Sequence, residues 1–97
     1  MRSIDVLKNE YLGDALWGQF VAIFRPAWNN WPDKNMYITK LVYEDIAIVL
    51  TAEMGQGALL WFDTPVIALE QQSPRQILNL ESNGLIILRS MIMRMPR

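Results

Sequence analysis

The chain has 97 residues, 52% of them hydrophobic, with nine Lys/Arg, ten Asp/Glu and a net charge of −1. That length holds one domain with a modest core, and the near-neutral balance gives no overall electrostatic case for nucleic acid. Cys and His are both absent, which removes disulfides, soft metal ligands, thiol nucleophiles and the commonest general base.

The charge is unevenly spread. Residues 1–70 carry five Lys/Arg and nine Asp/Glu, whereas residues 71–97 carry four Arg and a single acid, Glu81. A basic end therefore follows an acidic body. Its arginines either meet an acidic or phosphate-bearing partner or solvate one face of an apolar helix. Asp5 and Glu10 interrupt the start where a signal peptide needs its apolar core, and no apolar run reaches the ~20 residues of a membrane span. The expected location is cytoplasmic. So high an apolar share in so small a chain leaves apolar surface outside, which favours an oligomer or a protein partner.

In chain order, residues 3–11 read as a helix with Ser3 as N-cap and Ile4, Leu7 and Tyr11 on one stripe. Gly13 suits a stop and Asp14 a new cap. A second helix, 15–25, has Leu16, Phe20, Ile23 and Phe24 as its buried stripe and ends at Pro26, because the residue before proline avoids the α region. Residues 27–35, AWNNWPDKN, read as a loop. Its two tryptophans suit either a stacking platform for a sugar or base or, as the plainer reading, a lid on the core; Trp17 and Trp61 read as core.

In residues 36–53, Ile38, Leu41/Val42, Ile46 and Val49/Leu50 recur every three to four positions, which predicts one long central helix closed by Gly55 and Gly57. A short apolar helix follows at 58–62. Asp63 or Thr64 then caps a single turn at 66–69 with Pro65 at its first position, and Ser73-Pro74 starts a helix at 74–80 with Ile77 and Leu78 inward. Ser82 or Asn83 caps a last helix, 84–95, with Leu85, Leu88, Ile92 and Met95 on its stripe and Arg89 on its flank. Ile86, Ile87, Met91 and Met93 make that helix apolar nearly all round, so it is either fully wrapped or held between two proteins. The expected fold is all-α: a small bundle of short helices with a longer central helix and a C-terminal amphipathic helix. It forms one domain over residues 1–97, with N-terminal helices and a Trp-rich loop in 1–35 and the remaining helices in 36–97.

Catalytic chemistry is not visible. Glu44 and Asp45 are adjacent and point about 100° apart on a helix, so they form no facing dyad. Ser3, Ser73 and Ser82 read as caps, and Gly55-Gln56-Gly57 lacks the lysine and preceding strand of a phosphate loop. The expectation is a protein that is not an enzyme and needs no cofactor. A helix-turn-helix reading of residues 15–25 is poor, since Trp17, Gly18, Gln19 and Ala22 would face DNA without a base before Arg25.

The ordered set Ala58-x-x-Trp61-Phe62, Pro65, Leu69, Ser73-Pro74, Ile77-Leu78, Gly84 and Leu88 resembles the C-terminal toxin-binding domain of Xre/MbcA/ParS-type antitoxins. The likeness covers roughly the last 40 residues. It departs where the family often has one or two glycines before the Ser/Thr-Pro step and this chain has Glu70-Gln71-Gln72. Residues 1–35 are not assignable to the N-terminal helix-turn-helix that many members carry, so binding of DNA by this chain stays open.

The resemblance implies neutralisation of a cognate toxin, commonly the NAD-consuming RES class, by docking the final helix and tail at the toxin's active-site entrance. On that reading the toxin-binding candidates are Leu85, Arg89, Met91, Met93, Arg94, Met95, Pro96 and Arg97: arginines for phosphate recognition, methionines as adaptable apolar contacts. Ala58, Trp61, Phe62, Pro65, Leu69, Pro74, Leu78 and Gly84 would be scaffold. The alternatives are a DNA-binding transcriptional regulator and a small homo-oligomeric adaptor with no toxin.

Overall fold

A computed structural model describes residues 2–96. The described chain is 72% helical and all-α, with seven α-helices and no strand, and it packs with a radius of gyration of 12.8 Å. The helices are α1 (Ser3–Asn9), α2 (Asp14–Asn29), α3 (Lys34–Leu41), α4 (Glu44–Met54), α5 (Gly57–Trp61), α6 (Pro74–Leu80) and α7 (Gly84–Arg94), with a 3₁₀ turn at Ile67–Leu69 between α5 and α6.

The centre is α4. Ile46, Ala47, Ile48, Val49, Leu50 and Thr51 are consecutive and all buried, so this helix is covered on every side. The Thr51 hydroxyl is satisfied by donating to Ala47 O at 2.7 Å. α2 lies along α4, while α1 and α6 both pack on α7.

The long central helix expected over 36–53 is broken at Val42. This residue has φ 76° and ψ −44°, and the Tyr43 N–H donates back to Leu41 O at 2.9 Å. That is a three-residue γ-turn of the rare, strained hand, and for a β-branched side chain it is an outlier. The apolar stripe stays in phase across the break, so periodicity could not reveal it. The bend separates α3, buried along one edge at Tyr37 and Leu41, from the fully wrapped α4. Arg75 on α6 donates to Lys40 O at 2.7 Å and closes one carbonyl freed at the end of α3.

The second helix also differs from expectation, twice over. It continues through Pro26 to Asn29. An internal proline costs about 3 kcal/mol, but the extra turn buries Trp28 to 4% exposure, a gain of similar size. The buried face is also not the expected one. Trp17, Val21 and Trp28 point inward, while Leu16 and Ile23 are exposed and Phe20 and Phe24 half-buried. The tryptophan stripe displaces the aliphatic one because it covers more area, and because the Trp17 Nε1–H reaches Asp45 Oδ2 at 2.8 Å.

Capping follows the sequence at one helix above all. Ser73 and Gln76 form a reciprocal capping box on α6 with Pro74 at its start. Elsewhere the caps move. Ser3 is the first residue of α1 and not its cap. Its N–H and hydroxyl both donate to Glu70 Oε1, at 2.7 and 2.9 Å, so a residue far along the chain caps α1. Gly13, with φ 101°, takes the cap position of α2, and Asp14 is its first residue. Thr64 donates to Leu60 O at 2.8 Å and caps nothing. The 3₁₀ turn starts after Val66, so Pro65 precedes it. Asn83 takes the cap position of α7 without a side-chain bond. Gly84 lets α7 lie against α6: a Cβ there would stand 2.9 Å from Ile77 C and Leu78 Cα.

Candidate protein-binding surface

The residues singled out near the C-terminus separate into an interior group and a surface group. In the interior group, Arg89 has an 18% exposed side chain and donates to Asp45 Oδ2 at 2.7 Å and to Asp14 Oδ1 at 3.4 Å. Its guanidinium lies 5.5 Å from the centre of the Trp17 ring. Partial burial disfavours the charge, yet Asp45 and the Tyr11 hydroxyl more than restore it, so the pKa stands above the usual guanidinium value. Asp45 thus accepts from both Trp17 and Arg89 and joins α2, α4 and α7 at one carboxylate. The geometry gives Arg89 this tie, in place of the free charge expected from the sequence. Met91 is 5% exposed and belongs to the core, with one edge at the surface described next. Leu85, on the first turn of α7, is half-buried against the core.

The surface group lies at the far end of α7. Met91, Arg94, Met95 and Pro96 form one wall of a groove of about 410 Å³. Trp61 from α5, Val66 and Ala68 from the following segment, and Leu7 from α1 form the other walls. Trp61 and Met95 are half-buried and Pro96 is exposed. Two further apolar side chains stand beside these walls in the chain: Leu60, 77% exposed, and Ile67, 80% exposed. Arg94 pairs with Glu10 at 2.8 Å, with both side chains about half exposed. Such a pair contributes at most about 1 kcal/mol, so either partner is available to another charge. Met93 is half-buried and lies with Arg94, Ser90, Glu10 and Leu12 around a smaller hollow of about 70 Å³. Arg97 lies outside the described residues.

The other family-motif positions are mostly interior: Ala58, Phe62 and Leu69 are fully buried, as are Pro74 and Gly84, and Leu78 is half-buried. Pro65 is exposed.

Sequence reasoning missed Leu60 and Ile67 as surface residues of this end, and did not bring the buried Leu7 to the groove. An apolar trio, Val66-Ile67-Ala68, pressed between two proline steps was the available signal, since one turn cannot bury all of its sides. Nothing in the sequence could bring Leu7 to the same place.

The tryptophan platform does not form. Trp28 is buried in α2. Trp31 meets Tyr37 edge-on, with centroids 5.3 Å apart and planes at 86°. An open hollow of about 630 Å³ along Trp31 and the first turn of α3 offers one aromatic face, not two. Among the described residues no three acidic side chains gather as a metal would require, and no helix is long and apolar enough to cross a membrane.

Compared with known proteins, the chain matches no family model, no curated protein and no solved structure.

Proposed function

We propose that this chain is a binding protein and not a catalyst, and that it neutralises a toxin in the manner of Xre/MbcA/ParS-type antitoxins. The contact surface is the end of α7 together with the groove beside Trp61. The observation that carries this reading is the groove itself: apolar walls from four segments and one loosely held arginine, with two highly exposed apolar residues, Leu60 and Ile67, next to wall residues in the chain. An apolar centre with an arginine at its edge is the composition of a protein-protein hot spot.

The turn before α6 supports the family resemblance. Glu70 and Gln71 have φ of 56° and 63°, a left-handed pair where family members often carry glycine. Glycine adopts that conformation without strain, and other residues do so at a cost. Here Glu70 is kept for its bond to the start of α1. The DNA-binding alternative draws no support from α2, whose outer positions carry no base before Arg25.

The test is co-expression with the product of the neighbouring gene, scoring growth and co-purification. Removing α7 would be uninformative, because Leu88 and Ile92 are core. Ile67→Asp and Arg94→Glu change only exposed positions. With a toxic neighbour, wild type restores growth and each variant weakens the complex at least tenfold. Full protection by the double variant would remove the groove from the interface. A neighbour that is harmless alone and does not co-purify would overturn the antitoxin reading.

A further inference from the structure

The break between α3 and α4 lacks the residues that usually make one. A sharp helix break normally has Pro or Gly at it, and Leu41-Val42-Tyr43-Glu44 has neither. Val42 instead takes φ 76° and ψ −44°, a strained conformation for a β-branched side chain that an α-helix would accept. Ile38 and Leu41 before the break and Ile46 and Val49 after it fall within about 140° of one helix at 100° per residue. Leu41, Ile46 and Val49 are fully buried, and Ile38 packs against the core. The pattern is that of one continuous helix, folded in two.

Side chains hold the bend by taking up backbone groups. In a straight helix Lys40 O accepts from the Glu44 N–H and Val42 O from the Ile46 N–H. Here Lys40 O accepts from Arg75 Nη2 at 2.7 Å, and the Ile46 N–H donates to Asp45 Oδ1 at 2.8 Å. Arg75 is itself fixed by Asp63 at 2.6 Å.

We propose that Val42-Tyr43 is the hinge of a domain exchange: in a dimer of this chain α3 and α4 join into one straight helix over residues 34–54, and the residues before the hinge pack on residues 44–97 of the partner copy. Short hinges under strain favour such an exchange. The contacts exchanged are those of the core, since α2 lies on α4 and α1 on α7, so the interface is the interior of the domain and needs no new surface. The dimer gains the relief of two strained hinges and an unbroken backbone ladder. It loses the independence of two molecules, so the monomer prevails when dilute and the dimer when concentrated. Exchange also divides the groove. Leu7 and Glu10 lie before the hinge, whereas Trp61, Met91 and Arg94 lie after it, so each groove of the dimer is built from both copies. The proposal does not depend on the toxin reading.

Opening the hinge parts most of the core, so the two forms interconvert through near-complete unfolding, and the concentration at refolding sets their ratio. The test is refolding from urea at about 10 μM and at about 1 mM, followed by size-exclusion chromatography of both at the lower concentration. Wild type gives monomer from the dilute arm and, from the concentrated arm, a dimer that persists on dilution. Arg75→Ala frees Lys40 O and raises the dimer fraction. Val42→Gly removes the strain and lowers the ratio of dimer to monomer by about tenfold or more. Ser3→Cys with Ala68→Cys reports the connection, because Ser3 Oγ lies 3.0 Å from Ala68 O, on the other side of the hinge in sequence, and the natural chain has no cysteine. Once oxidised, the monomer of this variant holds its disulfide within one chain and the dimer holds it between chains. Only the dimer then runs at twice the chain mass on a non-reducing denaturing gel. Monomer alone from both wild type and Arg75→Ala in the concentrated arm overturns the proposal. So does a dimer whose disulfides stay within each chain, and so does a Val42→Gly dimer as abundant as that of wild type.

Discussion

α2 and α7 are both apolar well beyond one stripe, and the fold treats them in opposite ways. α7 is enclosed: Gly84, Ile87, Leu88, Ser90, Met91 and Ile92 are buried, and Arg89 is tied inward to Asp45. α2 is longer but buries only Trp17, Val21 and Trp28, and its aliphatic side faces outward. Apolar content alone therefore does not identify the surface for a partner. What decides is which side of each helix already has a neighbour. α7 has α1 on one side and α6 on another, whereas α2 lies on α4 and makes only a slight contact with α7.

The sharpest test of that contrast is one truncation on each helix. Ile92→Ala removes a fully buried side chain from α7 and is expected to cost about 3 kcal/mol. Ile23→Ala on α2, made at a concentration where the chain is monomeric, is expected to cost less than about 0.5 kcal/mol. Urea denaturation of both variants measures the difference; equal losses would mean that the outer face of α2 is covered within the monomer.

The next effect tests the joint between the two helices. Asp45 serves Trp17 of α2 and Arg89 of α7 through one oxygen. Asp45→Ala leaves a mostly buried guanidinium without its closest partner and an indole N–H without an acceptor. Breaking a buried pair costs about 3–5 kcal/mol; with Asp45 one quarter exposed, a loss of about 2–3 kcal/mol is expected. Double-mutant cycles with Trp17→Phe and Arg89→Met should show that Asp45 couples to both. Coupling to Arg89 alone would leave α2 held by packing only.

The same two helices show what the sequence could and could not convey. The all-α class, the bounds of α6 and its Ser73 cap were legible because each rests on local signals, Ser73 and Pro74 side by side; the return bond from Gln76 that completes the box was not read. α7 was legible as an apolar helix, and its enclosure was one of two outcomes its pattern allowed. The orientation of α2 was not legible, since Leu16/Ile23 and Trp17/Val21/Trp28 are both helical stripes, and only contact with α4 selects between them. The break at Val42 was hidden for the same reason: a stripe that stays in phase gives no sign of a bend held by Arg75 from α6. The groove beside Trp61 needed Leu7, Trp61 and Met95 together, a long-range fact that no spacing encodes.

Glycine substitutions probe the strained turns, with a smaller effect of opposite sign. Val42→Gly at the bend leading into α4 and Gln71→Gly in the turn before α6 replace residues with φ of 76° and 63°. Each should stabilise by roughly 1 kcal/mol, the relieved strain exceeding the added unfolded-state entropy. Thermal denaturation measures this. A loss at Val42 would mean that its half-exposed side chain adds more than its backbone costs, and that the bend is fixed by packing on α4 and not tolerated in spite of it.

The smallest effect is on pH. The Tyr11 hydroxyl donates to Asp14 Oδ1 at 2.8 Å, next to Arg89. Burial first, and the bond to Asp14 second, push the phenol pKa above its ordinary value of about 10, against the opposing pull of Arg89. A pKa raised on folding gives stability that is complete below the unfolded value and is lost as pH rises through the folded one. Wild type should therefore lose stability more steeply than Tyr11→Phe above about pH 10, and the two should run parallel from pH 6 to 9. Urea midpoints taken across that range measure the difference. Curves that stay parallel to pH 11.5 would show that Tyr11 ionises alike in both states, and that the link from the start of α2 through Asp14 to Arg89 of α7 is too open to water to hold the two helices together.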